Sequence, residues 1–211
     1  MSWFQLDPQS IADRARLAGS TTPTLAASVV RGIAGFTLVS IAGFVPWAVF
    51  GRWLRHSIGE AGLYAVCALV FIGLSAPALH RLIIGPGSLP RFYKVFSLAF
   101  AAYSVAWILG WMTLRGNPGS LVGLLAGTAI MGGVLAAAFD AWGSLIAIIS
   151  ALFLLNAAGY FAGAPLEGML MRRCPIVAKL QWGVFYGLGF GAGLGVAFHL
   201  CQARARALLG Q

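Results

Sequence analysis

The chain has 211 residues, of which 60% are hydrophobic and 9% are charged, and its mean hydropathy is +0.87. Soluble domains carry about 25% charged residues, so this composition excludes an ordinary soluble domain and indicates an integral membrane protein. The 14 lysines and arginines outnumber the 5 acidic residues, but they stand singly or in pairs between apolar runs. Such scattered basic residues indicate topology signals and contacts with lipid headgroups, so no nucleic-acid partner is expected.

The first 24 residues are polar, and they predict a short helix at the membrane surface, not a signal peptide. Asp7 is placed to cap this helix, and Pro8 suits its first turn. Ile11, Ala15 and Ala18 give the helix a narrow apolar face. We therefore expect it only to rest near the membrane surface.

Six apolar stretches follow, and each is long enough to cross a bilayer core of about 30 Å as a helix. They cover residues 28–50, 61–84, 95–114, 119–139, 142–163 and 177–200. These runs are continuous and do not alternate as membrane strands would. The sequence therefore predicts an all-α fold with a six-helix transmembrane bundle. The bundle covers residues 25–202, after a polar segment at 1–24 and before a short basic tail at 203–211.

Six spans place both termini on one side of the membrane. That side holds eight basic residues: Arg14, Arg16, Arg31, Arg81, Arg91, Lys94, Arg204 and Arg206. The opposite side holds six: Arg52, Arg55, Arg115, Arg172, Arg173 and Lys179. The excess favours cytoplasmic termini.

Two of the predicted spans carry glycines at every fourth residue. They are Gly119, Gly123 and Gly127 in the fourth span, and Gly183, Gly187, Gly191 and Gly195 in the sixth. Small residues at this spacing let helix backbones approach closely in a bilayer. We expect tight packing inside the bundle or between protomers; a smooth wall for a flat ligand is the alternative.

Charged residues are scarce in the apolar spans. Asp140 is the only one between Arg115 and Glu167, and it falls in the turn between the fourth and fifth spans. Arg31 opens the first span, and Arg81 closes the second after a proline, Pro77, that is expected to kink the helix. All three charges fall on one predicted side, so we expect Asp140 to pair with Arg31 or Arg81.

Uncharged polar residues mark the last two spans at Asn156, Tyr160, Gln181 and Tyr186. They are typical of hydrogen bonds between helices, and a ligand-headgroup site is the alternative. The sequence contains no G-x-S-x-G motif, no H-E-x-x-H motif and no closely spaced acidic cluster. We therefore predict no catalytic residue and no metal site. Ionisable residues lie at span ends and not at mid-membrane, which also weakens the interpretation as a transporter.

Three motifs in this order are similar to landmarks of the Insig (insulin-induced gene) family of six-span membrane proteins. "VVRGIAGF" resembles the start of that family's first helix, and "GLSAPALHRLIIGP" the end of its second. "AAAFDAWGSL" is similar to the Phe-Asp turn between its fourth and fifth helices. The resemblance covers about residues 25 to 200. Three features depart from it: Gly123 stands where the family has a sterol-associated glutamine, the apolar "AAYSVAWILGW" replaces a polar run, and "AWGS" replaces the basic residues after the family's aspartate.

The resemblance implies a non-enzymatic lipid sensor. Animal members of the family bind oxysterols and retain partner proteins in the endoplasmic reticulum. The family's aspartate, carried over onto Asp140, is implicated there in partner binding. The residues that we associate with lipid binding are Gly123, Phe139, Asn156, Tyr160, Gln181 and Tyr186.

We therefore predict a protein that holds a small-headed neutral lipid, a sterol or diacylglycerol, in an intramembrane cavity lined by aromatic rings. No other cofactor is expected. The predicted partners are membrane lipids, further copies of the chain and an unidentified membrane protein. A bacterial inner membrane fits better than the endoplasmic reticulum. The alternatives are a small transporter or channel and, less favoured, an enzyme acting on lipid.

Overall fold

A computed structural model describes residues 3–210, and helices occupy most of this range. Seven α-helices lie within it: α1 Pro8–Leu17, α2 Leu25–Leu79, α3 Ser88–Leu114, α4 Gly116–Phe139, α5 Leu145–Leu170, α6 Pro175–Cys201 and α7 Ala203–Leu208. Short 3-10 turns follow α2 at His80–Leu82 and α4 at Trp142–Ser144. The described residues include no strand, so the predicted all-α class is confirmed.

Five helical stretches are long and apolar enough to cross a membrane. They are Leu25–Leu82, Ser88–Leu114, Gly116–Phe139, Trp142–Leu170 and Pro175–Cys201. The chain is therefore a multi-pass membrane protein. The count differs from the six predicted spans because the expected connection "RWLRHSIGE" is itself helical up to Gly59. The first two predicted spans are thus joined in the single element α2.

Helix α2 folds back on itself at Gly59. This residue has φ 74° and ψ 177°, a conformation open essentially to glycine alone. Phe36 and Phe71, on either side of it, stack with their ring centroids 5.5 Å apart. A straight helix would separate these two residues by about 52 Å. The first arm (residues 25–58) and the second arm (residues 60–79) of α2 therefore run antiparallel in contact.

The two arms and the four long helices close into a ring. The first arm packs on α6, α6 on α5, α5 on α4, α4 on α3, and α3 on the second arm. Two crossings in this ring use the predicted glycine stripes. An added Cβ on Gly191 would lie 2.5 Å from the carbonyl oxygen of Gly32, and one on Gly123 would lie 2.9 Å from that of Trp107. The expected tight packing is thus realised within one chain, and these stripes are not available to hold protomers together.

The N-terminal helix α1 is docked on the bundle. Asp7 caps it as expected, accepting a hydrogen bond of 3.0 Å from the Ser10 backbone amide. Ile11, Ala12 and Ala15 are buried, and α1 contacts α7. The predicted helix is thus present, with most of its apolar face covered by α7 and the chain after α2 and with Ala18 exposed; its position at the membrane surface stays a prediction.

The ring has two ends, and both chain termini lie at one of them. Arg16 in α1 donates a hydrogen bond to the carbonyl oxygen of Leu208 in α7. We call this the terminal end; it also holds residues 80–88 and Asp140. The opposite Gly59 end holds the bend of α2, the α3–α4 turn at Arg115 and residues 171–174.

Candidate functional site

A cavity of about 380 Å³ occupies the half of the ring next to the Gly59 end. Its lining comes from both arms of α2 and from α3, α5 and α6: Gly43, Phe44, Trp47, Tyr64, Cys67, Ala68, Phe71, Phe100, Tyr103, Ser104, Trp107, Ile108, Trp111, Tyr160, Glu167, Trp182 and Tyr186. The stretch of α3 from Phe100 to Trp111 alone spans about 16 Å. The cavity thus extends from near the middle of the bundle to one end.

Aromatic rings form most of the cavity wall. Helix α3 presents Phe100, Tyr103, Trp107 and Trp111, since residues three or four apart share a helix face. The Trp107 and Trp111 rings are nearly parallel, with centroids 6.0 Å apart, and the edge of Tyr64 meets Trp107 at 5.4 Å. The result is an apolar chamber with flat, rigid walls.

The deep part of the chamber contains a network of hydroxyl groups. Asn156 Nδ2 donates to the Tyr103 hydroxyl at 3.0 Å, and the Tyr186 hydroxyl donates to it at 3.2 Å. Nearer the Gly59 end, the hydroxyls of Ser120 and Tyr160 form a separate pair 3.0 Å apart. The other amide atom, Asn156 Oδ1, is buried without a partner among the described residues. Such a network fixes the phenol groups in place and leaves polar capacity for a ligand.

Charged residues lie where the chamber meets the Gly59 end. Arg115 Nη1 is 2.8 Å from Glu60 Oε2, and the Tyr64 hydroxyl donates to Glu60 Oε1 at 3.2 Å. Lys179 Nζ lies 4.9 Å from the centroid of the Trp47 ring, and Glu167 lines the chamber. The charges near the chamber thus lie toward its Gly59 end.

The other end of the chamber is closed by packed phenylalanines, which we call the phenylalanine plug. Phe92 stacks on Phe96 at 5.1 Å and on Phe198 at 5.3 Å, and Phe96 stacks on Phe100 at 5.2 Å. Phe139 meets Phe198 edge-on at 5.7 Å. The plug fills the terminal half of the ring, so the chamber has one polar end and one apolar floor.

The structure brings together three of the six residues associated with lipid binding in the sequence. Tyr160 and Tyr186 line the chamber, and Asn156 reaches it through its bond to Tyr103. Gln181 lies off the chamber wall, its Nε2 3.5 Å from the carbonyl oxygen of Gly163.

The remaining two residues are used in helix packing. Gly123 lies against the backbone of Trp107, where an added Cβ would be 3.0 Å from its Cα atom. Phe139 belongs to the phenylalanine plug. Neither residue lines the chamber.

Asp140 does not pair with Arg31 or Arg81, and that expectation is wrong. Its Oδ2 atom lies 2.6 Å from Arg204 Nη1, because α7 follows α6 directly and brings Arg204 to the α4–α5 turn. Arg31 instead lies 3.5 Å from the backbone oxygen of Arg81. Pro77 lies inside the second arm, and α2 continues past it to Leu79.

Several chamber residues were missed in the sequence, namely Tyr64, Tyr103, Trp107 and Trp111. The signal that could have identified Tyr103, Trp107 and Trp111 is the run of aromatic residues three or four apart along α3; Tyr64, in the second arm of α2, has no such signal. In an all-apolar span, that spacing does not distinguish a core from a ligand chamber.

Comparisons of the chain with protein-family models, with curated proteins and with solved structures find no match. The chemical interpretation of the chamber therefore rests on its own geometry.

Proposed function

We propose that this protein is a six-span membrane protein that binds a small-headed neutral lipid, a sterol or diacylglycerol, in the aromatic chamber. The observation that carries the proposal is the chamber itself. An apolar space of about 380 Å³, walled by aromatic rings and containing three phenol hydroxyls, is present inside the helical ring.

The topology supports a lipid drawn from one leaflet. Each antiparallel arm of α2 is long enough to cross a bilayer, which gives six crossings with α3 to α6. The chamber depth of about 16 Å matches half of a hydrocarbon core of about 30 Å. The excess of basic residues at the terminal end favours cytoplasmic termini, in a bacterial inner membrane by our proposal.

The lining supports a neutral ligand. Aromatic walls favour a large apolar body, and the hydroxyls of Tyr103, Tyr160 and Tyr186 can bond to a hydroxyl or carbonyl oxygen. The charged groups near the chamber stand at its Gly59 end, where Glu60 is already paired with Arg115. A lipid with one small uncharged head fits this distribution, which is also what the resemblance to the Insig family implies.

We favour binding of the lipid over its chemical conversion or the transport of a solute through the bundle. The phenylalanine plug closes the terminal half of the ring, whereas a channel or transporter needs a hydrated path from end to end. The deep hydroxyls are bonded to one another and to Asn156, an arrangement suited to holding a ligand oxygen. Self-association remains part of the proposal, through surfaces other than the glycine stripes.

The proposal is tested by native mass spectrometry of the gently solubilised chain, with lipids extracted from the same sample. We expect one neutral lipid per chain. Ala68→Phe, which fills the chamber, should lower its occupancy by about tenfold or more. Leu109→Ala, a change of a side chain that is 59% exposed on α3, should leave it unchanged.

Retention of only bulk phospholipid by the unmodified chain would contradict lipid binding. Solute or ion flux in liposomes, abolished by Ala68→Phe, would instead favour the transporter.

A further inference from the structure

A second pocket lies at the terminal end, on the other side of the phenylalanine plug from the chamber. It has a volume of about 500 Å³ and lies between the α1–α2 linker, the start of the first arm and residues 81–88. Arg31 and Arg81 both line it, together with Ser20, Thr21 and Ser88. Both arginines are exposed, so the pocket is open to a ligand.

The other basic residues at this end have partners among the described residues. They bond to backbone oxygens, a carboxylate or an aromatic ring: Arg14 to Gln5, Arg16 to Asp13 and Leu208, Arg91 to Pro86 and Gly87, Lys94 to Trp3, Arg204 to Asp140, and Arg206 to His199. Arg31 makes one long bond of 3.5 Å to a backbone oxygen, and within residues 3–210 the Arg81 side chain makes no hydrogen bond or ion pair. Two guanidinium groups thus share one pocket with little compensation.

No acidic side chain is left to neutralise this pair. The chain has 5 acidic residues. Asp7 caps α1, Asp13 pairs with Arg16, and Asp140 pairs with Arg204. The remaining two, Glu60 and Glu167, belong to the Gly59 end. None of the five acidic side chains therefore serves as the counterion of Arg31 and Arg81.

We propose that this pocket binds a phosphate group, in the first place that of an anionic phospholipid headgroup. The planar guanidinium fork matches phosphate oxygens, and the hydroxyls of Ser20 and Thr21 can add hydrogen bonds. Arg31 and Arg81 lie at the two ends of α2, level with each other, where a lipid headgroup lies beside a membrane helix. The bound phosphate would tie the α1–α2 linker to both arms.

This site is independent of the aromatic chamber. The chamber is lined from the middle of the ring to the Gly59 end, whereas the arginine pocket lies at the terminal end. A failure of neutral-lipid binding would therefore leave the phosphate site intact, and the reverse also holds.

The test uses the full chain in nanodiscs of mixed phosphatidylglycerol and phosphatidylcholine. Native mass spectrometry counts the phosphatidylglycerol that the released protein retains. Arg81→Gln, with Arg31→Gln/Arg81→Gln as the stronger change, should lower this retention by about tenfold or more. Because the Arg81 side chain is exposed and makes no hydrogen bond or ion pair with the described residues, the single change should not affect folding.

The matched control is Arg172→Gln/Arg173→Gln, which removes two adjacent exposed arginines at the Gly59 end. It makes the same change in net charge and should leave the retained phosphatidylglycerol unchanged. Equal losses in the two double variants would overturn the proposal, because they would indicate only a general effect of surface charge.

A second arm of the experiment identifies the source of the phosphate. Inorganic phosphate alone is titrated against the detergent-solubilised chain while its thermal unfolding is followed. Stabilisation that Arg81→Gln abolishes would assign the site to a soluble phosphate as well as to a lipid. Retention of phosphatidylglycerol without such stabilisation would assign it to the lipid, and the absence of both would overturn the site.

Discussion

At the scale of single residues, Asp140 combines an unusual backbone conformation with an exposed charge. It ends α4 with φ 51°, in the left-handed region that Asn, Asp and Gly tolerate best. Its side chain is 55% exposed, and that of its partner Arg204 is 67% exposed. Exposed ion pairs contribute about 0–1 kcal/mol, so the conformation matters at least as much as the charge.

We therefore expect Asp140→Asn and Asp140→Ala to differ. Asparagine keeps the left-handed turn and should change the free energy of unfolding by less than about 0.5 kcal/mol, the usual range for a surface substitution. Alanine should cost about 1 kcal/mol more, since it disfavours positive φ. Reversible unfolding in mixed micelles measures both variants. If both lost the same large amount, the charge of Asp140 would be what holds the turn.

At the scale of elements, close helix crossings depend on glycines that face backbone atoms. On α6, an added Cβ at Gly191 would lie 2.5 Å from the carbonyl oxygen of Gly32, and one at Gly195 would lie 2.5 Å from that of Ser28. Backbone atoms cannot rotate away as a flexible side chain can, so the first arm would have to separate from α6. This crossing positions Phe44 and Tyr186 across the chamber from α3.

Gly191→Ala should consequently destabilise the bundle by about 1–3 kcal/mol, the usual cost of overpacking. Gly133→Ala in α4 is its matched control, because nothing lies within 4 Å of an added Cβ there. The control should be neutral or stabilising by up to about 1 kcal/mol, since alanine is the better helix former. Thermal unfolding of the two variants side by side measures the difference. Similar stabilities would show that the first arm and α6 can separate at little cost.

At the scale of the whole molecule, the bend at Gly59 decides how the chain crosses the membrane. With the arms of α2 antiparallel, the α1–α2 linker and the α5–α6 turn lie at opposite ends of the ring. A single straight α2 would instead place both segments on the same side. The two arrangements therefore differ in which side of the membrane each segment faces.

Cysteine labelling distinguishes these two topologies. Cys174 lies exposed in the α5–α6 turn. With Cys67 and Cys201 replaced by alanine, a membrane-impermeant maleimide should label Cys174 from one side of sealed vesicles. A chain with Cys174→Ser and Ser20→Cys should be labelled only from the other side. Labelling of both positions from the same side would contradict the six crossings.

Much of the membrane architecture could be predicted from the sequence, because long apolar runs have few other structures available in lipid. The helical class, the cap at Asp7, the α4–α5 turn at Asp140 and the close packing of the glycine stripes all follow from local pattern. The chamber could be predicted from the sequence only in part. Tyr160 and Tyr186 were identified as polar groups in apolar spans, whereas Tyr103 and Trp107 were hidden among the other apolar residues of α3.

The sequence by itself determined that the chain forms long apolar helices, and hence that it resides in a membrane. Only the tertiary structure decided which helix faces meet, because in uniformly apolar helices no periodic pattern distinguishes the inner face from the outer one. The bend at Gly59, the ring order and the docking of α7 decided that aromatic rings enclose a chamber. They also decided that Asp140 pairs with Arg204, and thus that Arg31 and Arg81 share a pocket without a carboxylate.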